Sequence, residues 1–341
     1  MLVSKTGNGQ EQEIAAPLIF ALGAQRELGT RIAERVGVSL APHEERSFEG
    51  GEHKTRPLCE VGSRAVYVVQ SLHGDAEASA SDKLVRLLFF IGALKDAGAA
   101  QVCAVTPYLA FNRKDRRTKP RDPVNSRYIA ALFESVGTDR IIAVEAHNVS
   151  AFENAFRTCR PEHVPVAAVL ADALATTVGD GDVAVVSPDA GGNKRAELFR
   201  SELERRIGRP VGKAIMDKHR SSGVVSGSLF AGDVRGCTAI VIDDLISSGG
   251  TIVRASKAAR EAGAVAVVAA AAHGLFSGDT AALAGPDGPD RILVVDGAPL
   301  PPALAPQLAS KIAVIGIAPL LGDVIAAIDR GEAVSDLIPY D

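Results

Sequence analysis

Apolar and polar positions follow two rhythms along this chain. Short runs of apolar residues read as buried strands, and longer stretches with apolar residues at helical spacing separate them. Residues 65–70 read as a strand. In 81–97, Leu84, Leu87, Leu88, Ile91 and Leu94 form one stripe, and Gly98 is a stop, so a helix is predicted there. A strand at 101–106, a helix at 125–136 and a strand at 140–144 complete a first series. A second series has strands at 182–187, 211–216, 240–242 and 264–270, with helices at 192–207 and 251–262. Between them, 217–228 is polar and reads as a flexible loop.

Alternation of this kind predicts an α/β fold, with parallel sheets covered by helices on both faces. Because the series occurs twice, two similar lobes are expected, over 17–162 and 163–319. Their boundary falls in 158–166, marked by Pro161 and Pro165. Residues 1–16 read as a loose polar tail. A last helix covers 320–330 within the C-terminal segment 320–341, and periodicity leaves open whether it joins the first lobe.

The chain has 341 residues, enough for two ordinary domains. Its 47% hydrophobic and 23% charged residues describe a soluble globular protein. The longest apolar run, 264–272, is too short to span a bilayer, and the N-terminus has no signal-peptide core. Cys59, Cys103, Cys159 and Cys237 match no metal or redox spacing, so free thiols of a cytoplasmic protein are expected. A net charge of −4 argues against a nucleic-acid partner. An anionic ligand would need a local cationic cluster, and Arg113, Lys114, Arg116, Arg117, Lys119 and Arg121 form one just past a strand.

Residues 238–251 carry the strongest chemical signal. An apolar run ends in Asp243 and Asp244, a small turn follows, and a helix starts near Thr251. The free amides of Ser247, Ser248, Gly249, Gly250 and Thr251 at a helix N-terminus suit an anion. Two carboxylates beside that cradle suit the hydroxyls of an attached sugar, or a metal bound to it, so the segment predicts a sugar-phosphate site. Three other constellations lie at strand ends or in polar stretches. They are 187–192 with Asp189, 145–148 with Glu145 and His147, and 216–223 with Lys218 and Arg220. A plain turn, a structural histidine and a solvated loop are the ordinary alternatives for these three. The last also suits a lid closing over phosphates.

The 238–251 segment resembles the phosphoribosyl-binding motif of the type I phosphoribosyltransferase superfamily. From about Leu18 to Leu337 the chain resembles the ribose-phosphate diphosphokinases. Ser47-Phe48-Glu49-Gly50-Gly51-Glu52-His53 is similar to their Phe-x-Asp-Gly-Glu segment, and 107–116 to their Pro-Tyr…Tyr-Ala-Arg-Gln-Asp-Arg. Glu145-Ala146-His147 is similar to Asp-Leu-His, and 188–192 and 273–278 also match.

The resemblance implies two phosphoribosyltransferase-like lobes and transfer of the β,γ-diphosphoryl group of magnesium ATP to the anomeric hydroxyl of ribose 5-phosphate. By matching position, 247–251 would hold the 5-phosphate, and Asp243 and Asp244 the ribose hydroxyls. His147 and Asp189 would serve magnesium, and Lys218 and Arg220 would act catalytically on the diphosphoryl group. Phe48, Glu52, Arg113, Lys114 and Asp115 would bind ATP, in the family at a subunit interface. A homo-oligomer built from dimers, up to a hexamer, is implied as well.

Four positions depart from the family pattern. Gly50 replaces aspartate, Lys114 glutamine, Ser247 aspartate, and His219 a common arginine. The first two bear on the nucleotide. Rival readings are a phosphoribosyltransferase, a non-catalytic regulatory homologue and a general nucleotide-binding module. The chain lacks a Gly-x-x-x-x-Gly-Lys-[Ser/Thr] loop, which excludes the P-loop manner of holding ATP.

Overall fold

Val183, Ala184, Val185, Val186 and Ser187 are all buried, as in a parallel strand with helices on both faces. Such strands organise both halves of the computed structural model, which describes residues 2–5, 11–14, 16–221 and 224–338. For 2–5, 11–14 and 217–229 the description covers the backbone alone. The chain divides into two units. One runs up to Val164 and takes back Ala318–Leu337, and the other spans Pro165–Ile317 with Ile338.

The first unit begins with β1 (Leu2–Lys5) and β2 (Glu11–Ile14), an antiparallel pair. The polar composition of 1–16 predicts a loose tail, and within it the backbone of 2–5 and 11–14 pairs as this ladder. Next come β3 (Leu18–Ala21), α1 (Arg26–Val36), the hairpin strands β4 (His43–Ser47) and β5 (His53–Pro57), and β6 (Ala65–Val69). Then follow α2 (Ala80–Asp96), β7 (Gln101–Thr106), α3 (Asn125–Ser135), β8 (Arg140–Val144), α4 (Val149–Glu153) and β9 (Arg160–Val164). The five main strands form a wholly parallel sheet in the order β3-β6-β7-β8-β9.

Local chemistry explains the long helix. Ser79 accepts from the Asp82 amide while the Asp82 carboxylate accepts from the Ser79 amide, closing a capping box. Its Leu87, Phe90, Ile91 and Leu94 are fully buried in a core with Val66, Val102 and Phe133.

The second unit contains α5 (Ala167–Ala175), β10 (Val183–Ser187), α6 (Asn193–Ile207), β11 (Gly212–Ser221), β12 (Val224–Ala231) and β13 (Thr238–Ile246). It continues through α7 (Gly250–Glu261), β14 (Ala266–Gly274), α8 (Ala281–Ala284), β15 (Arg291–Val295), α9 (Pro306–Ala309) and β16 (Ile312–Ile315). Its sheet order is β12-β11-β10-β13-β14-β15-β16, parallel except for the β11–β12 pair.

That pair corrects one expectation. The polar stretch from 217 does not leave the sheet. Its backbone pairs Asp217 with Leu229 and Lys218 with Ser228, and the register shifts between Lys218 and Arg220. The ladder's main-chain hydrogen bonds override the polar composition. The chain returns through α10 (Ala318–Asp329), which packs on α1, where Arg35 makes a bidentate ion pair with Asp323 at 2.7 and 2.9 Å.

Candidate functional site

Neighbouring parallel strands in the second unit all point their C-terminal ends the same way, and this is where α/β folds take ligands. β10 ends at Ser187, β13 at Ile246 and β14 at Gly274. Asp243 and Asp244 lie inside β13 rather than after it, with Asp243 opposite Ala271 of β14. The sheet therefore fixes their backbone. Asp244 is 6% exposed, and its amide donates to Asp243 Oδ1 at 2.9 Å.

Arg195, on the first turn of α6, brings Nη1 to 3.9 Å from Asp243 and 3.8 Å from Asp244. Burial, followed by the adjacent Asp244 charge, raises the Asp243 carboxyl far above its ordinary range, and Arg195 only partly offsets this. Burial and a like charge thus disfavour the ionised form of Asp243.

The turn after β13 is held from several sides. Gly249 caps α7 in the left-handed region at φ 81°, and a Cβ there would lie 2.4–2.6 Å from the Leu283 side chain. Only glycine meets both conditions. Ser247 Oγ is 2.7 Å from Ser277 Oγ, while the Leu275 and Phe276 amides donate to Ile246 O at 3.0 and 3.1 Å. Gly250 and Thr251 open α7, where helix amides lack an intrahelical acceptor. Arg254, one turn on, donates from Nη2 to Thr251 Oγ1 at 3.3 Å.

Beside this turn in the sheet order, Asp189 ends the β10 connection. Its Oδ1 accepts from the Gly192 amide at 3.1 Å, and Ser187 Oγ donates to its carbonyl at 2.7 Å. Lys218 and Arg220 are placed on β11 by their backbone, while Ser222 and Gly223 of the same segment lie outside the described residues.

The first unit carries the other predicted residues. Phe48, Gly50 and Glu52 form the tip of the β4–β5 hairpin, closed by the Phe48 amide donating to Glu52 O at 2.7 Å. The Phe48 ring is 42% exposed and the Arg46 guanidinium lies 5.0 Å above it. Gly50 has φ 77° with open space where a Cβ would stand, so the loop owes its shape to the residue rather than to crowding.

Past β7, Asp122 organises the basic loop. It accepts from the Thr118 and Lys119 amides at 3.0 Å, from Thr118 Oγ1 at 2.7 Å and from Lys114 Nζ at 2.5 Å. Lys114 is thereby tied into the loop, whereas Arg113 is exposed. Asp115 accepts from Asn148 Nδ2 at 2.6 Å, which brings the basic loop to the end of β8. There Glu145 is buried at φ 46° and His147 is exposed. Positive φ in a buried non-glycine residue is backbone strain, and its place at a strand end suits a functional turn.

Within the second unit the structure brings together Asp243, Asp244, Ser247, Ser248, Gly249, Gly250 and Thr251. Within the first it links Asp115 to the neighbourhood of His147 through Asn148. Two cations escaped the sequence reading. Arg195 lies one turn past 187–192, and Arg254 stands three residues after Thr251, the spacing that puts side chains on one helix face. That spacing was the available signal.

The mainly parallel sheet, with an acid pair at its centre and a glycine-capped helix turn beside it, has the architecture of the phosphoribosyltransferase fold. Residues 17–137 match the N-terminal domain of ribose phosphate pyrophosphokinase, and 225–339 the phosphoribosyl synthetase-associated domain. The ribose-phosphate pyrophosphokinase of Caldanaerobacter subterraneus is 33% identical, covering 94% of this chain and 96% of its own. Ribose-phosphate pyrophosphokinase 1 of Streptococcus pneumoniae serotype 4 is 34% identical, over 95% and 97%. The crystal structure of phosphoribosylpyrophosphate synthetase from Mycobacterium smegmatis superposes with a TM-score of 0.80 at 30% identity, covering 93% and 100%. The chain belongs to the ribose-phosphate pyrophosphokinase family.

Proposed function

We infer that this chain transfers the β,γ-diphosphoryl group of ATP to the anomeric hydroxyl of ribose 5-phosphate, giving 5-phosphoribosyl 1-diphosphate and AMP. The observation that carries the reading is the charge-strained acid pair on β13, one turn from a glycine-shaped helix start. Family membership over nearly the whole chain supports it.

Asp243 and Asp244 accept hydrogen bonds from the ribose hydroxyls. The amides and hydroxyls of Ser247, Ser248, Gly249, Gly250 and Thr251 hold the 5-phosphate. Phe48 offers an exposed ring for the adenine face, with Glu52 at the same hairpin tip. Arg113 meets the ATP phosphates. Asp115 orients the basic loop through Asn148, and Lys114 serves the nucleotide through the loop it ties to Asp122. Lys218 and Arg220 supply positive charge as the transferred group separates, which is most of what phosphoryl transfer asks of a protein.

The residues assigned to magnesium fit that ion, each in its own unit. Asp189 offers a carboxylate whose direction the Gly192 amide sets, and His147 is exposed at a strand end. Among the described residues no cluster of three or more metal-ligating side chains occurs, which suits an ion that keeps several waters. When bound, magnesium neutralises charge on the phosphate oxygens.

Among the described residues no helix is long and apolar enough to cross a membrane. Cys103 and Cys159 are buried free thiols, which supports a reducing, cytoplasmic setting. Exposed Phe89, Tyr128 and Leu132 on α2 and α3 support a homo-oligomer that covers them, dimer-based and up to a hexamer as the family resemblance implies.

The test is AMP release from magnesium ATP with and without ribose 5-phosphate. Release that depends on the sugar phosphate upholds the reading. No release with ATP or other nucleoside triphosphates overturns it in favour of a regulatory homologue, the reading that Gly50 and the tied Lys114 would then favour.

A further inference from the structure

The charges around the 243–251 turn are unevenly distributed. On the sugar side stand two carboxylates, with the Arg195 guanidinium within 4 Å of both. On the phosphate side the turn itself, Ser247 to Thr251, is neutral. A phosphate dianion placed there would meet amide dipoles and hydroxyls, next to a pair that is already net negative. Arg254 changes this balance. It is exposed, its Nη2 donates to Thr251 Oγ1 at 3.3 Å, and its Nη1 lies 3.5 Å from where a Cβ on Gly250 would stand. Among the described residues no carboxylate pairs with it. Elsewhere on the helices of this unit, arginines are spent on carboxylates: Arg200 pairs with Glu197 and Glu204, Arg206 with Asp172 and Glu202, and Arg260 with Asp290. A guanidinium parked on a phosphate-loop threonine keeps most of its five donors for a ligand, and its planar fork matches two phosphate oxygens.

We propose that Arg254 is a further binding residue of this site, which closes its guanidinium onto the 5-phosphate of the sugar substrate and sets the preference for a doubly charged phosphate ester over the unphosphorylated sugar. The proposal rests on the ribose 5-phosphate reading above. Thr251 acts as the resting partner: its hydroxyl donates to the phosphate, and Arg254 gives up an uncharged acceptor for a charged one. A charged hydrogen bond is stronger than a neutral one, so the exchange is favourable. Salt should weaken it, because the group is exposed.

The experiment compares the full-length parent with Arg254→Gln and Arg254→Lys. In steady-state kinetics, Arg254→Gln should raise KM for ribose 5-phosphate about tenfold, with kcat and KM for ATP within about twofold. Arg254→Lys should fall between, since it restores the charge without the fork. The gap between parent and Arg254→Gln should narrow as salt rises. A binding readout runs beside it: thermal-shift protection by ribose 5-phosphate alone and by inorganic phosphate alone, without ATP. Protection of the parent but not of Arg254→Gln supports the proposal. Equal protection, or an unchanged KM, overturns Arg254 and leaves the sugar-phosphate reading standing. A parent that ribose 5-phosphate neither protects nor serves as substrate overturns both.

Discussion

Asp243→Asn should stabilise the ligand-free protein while impairing its substrate site. The parent carboxyl is raised from 3.8 to about 7, chiefly by burial and then by Asp244, and its side chain is only 19% exposed. A carboxyl whose folded value is raised binds its proton more tightly in the native state. Its stability contribution is complete below about pH 4 and is lost as pH climbs through about 7. At about 1.36 kcal/mol for each pKa unit, the full loss is on the order of 4 kcal/mol, and water reaching the site reduces it to about 2 kcal/mol.

Asparagine keeps the shape and carries no charge, so it escapes this loss. At pH 8 the variant should melt about 4–8 °C above the parent, given about 2–4 °C per kcal/mol for a unit of this size. Near pH 5 the gap should shrink to roughly a third of its pH 8 size, closing only towards pH 4. Ribose 5-phosphate should then protect the parent and barely protect the variant, with the effect on ribose 5-phosphate binding larger than on ATP binding. Differential scanning fluorimetry across pH 5–8.5 decides the matter. A variant no more stable than the parent at pH 8, or a gap that is the same at pH 5, refutes the account of a charge-strained pair. Binding titrations in which ATP suffers more than the sugar phosphate remove Asp243 from the ribose site.

Gly249→Ala should destabilise the second unit by about 2–4 kcal/mol and raise KM for ribose 5-phosphate, since it combines positive φ with a collision against Leu283. Adding Leu283→Ala relieves the collision but not the strain, so a double mutant that recovers none of the melting temperature refutes the steric part. Lys218→Ala should keep the fold by circular dichroism and lose about two to three decades of kcat; activity within a few-fold of the parent removes that role. Asp122→Ala unties Lys114, Thr118 and Lys119 together and should raise KM for ATP several-fold without changing that for ribose 5-phosphate. A rise for the sugar phosphate alone would contradict the division of labour between the loops.

The fold was legible where hydrophobic pattern and capping chemistry agree. The stripe Leu84 to Leu94 and its Gly98 stop give α2 to within a residue or so, and the apolar run of β10 gives a buried parallel strand. It was less legible where partners dictate the outcome. Nothing local in Asp217 to Ser221 announces a strand; the ladder with β12 makes it one. The hairpin of β4 and β5 is similarly obscured, because its charged residues face solvent. In the candidate site, the acids and glycines of 243–251 were readable as a string, since one segment supplies both the acid pair and the glycine turn. Arg195 was not, because a cation forty-eight residues away (243 − 195) reaches the acid pair only through the β10–β13 pairing.

That pairing has a consequence for selectivity. Asp243 and Asp244 stand on a strand flanked by β10 and β14, so the backbone freedom they could lose on meeting a sugar was already lost when the sheet formed. A site frozen in this way cannot adjust to an ill-fitting guest. A pentose phosphate lacking a ring hydroxyl would leave a buried carboxylate facing an empty place, a penalty the sheet cannot relax away. On the proposed assignment the sheet would act as a template for which sugar enters, and the turn beside it, built of serines and glycines, would respond to what that sugar carries at its fifth carbon.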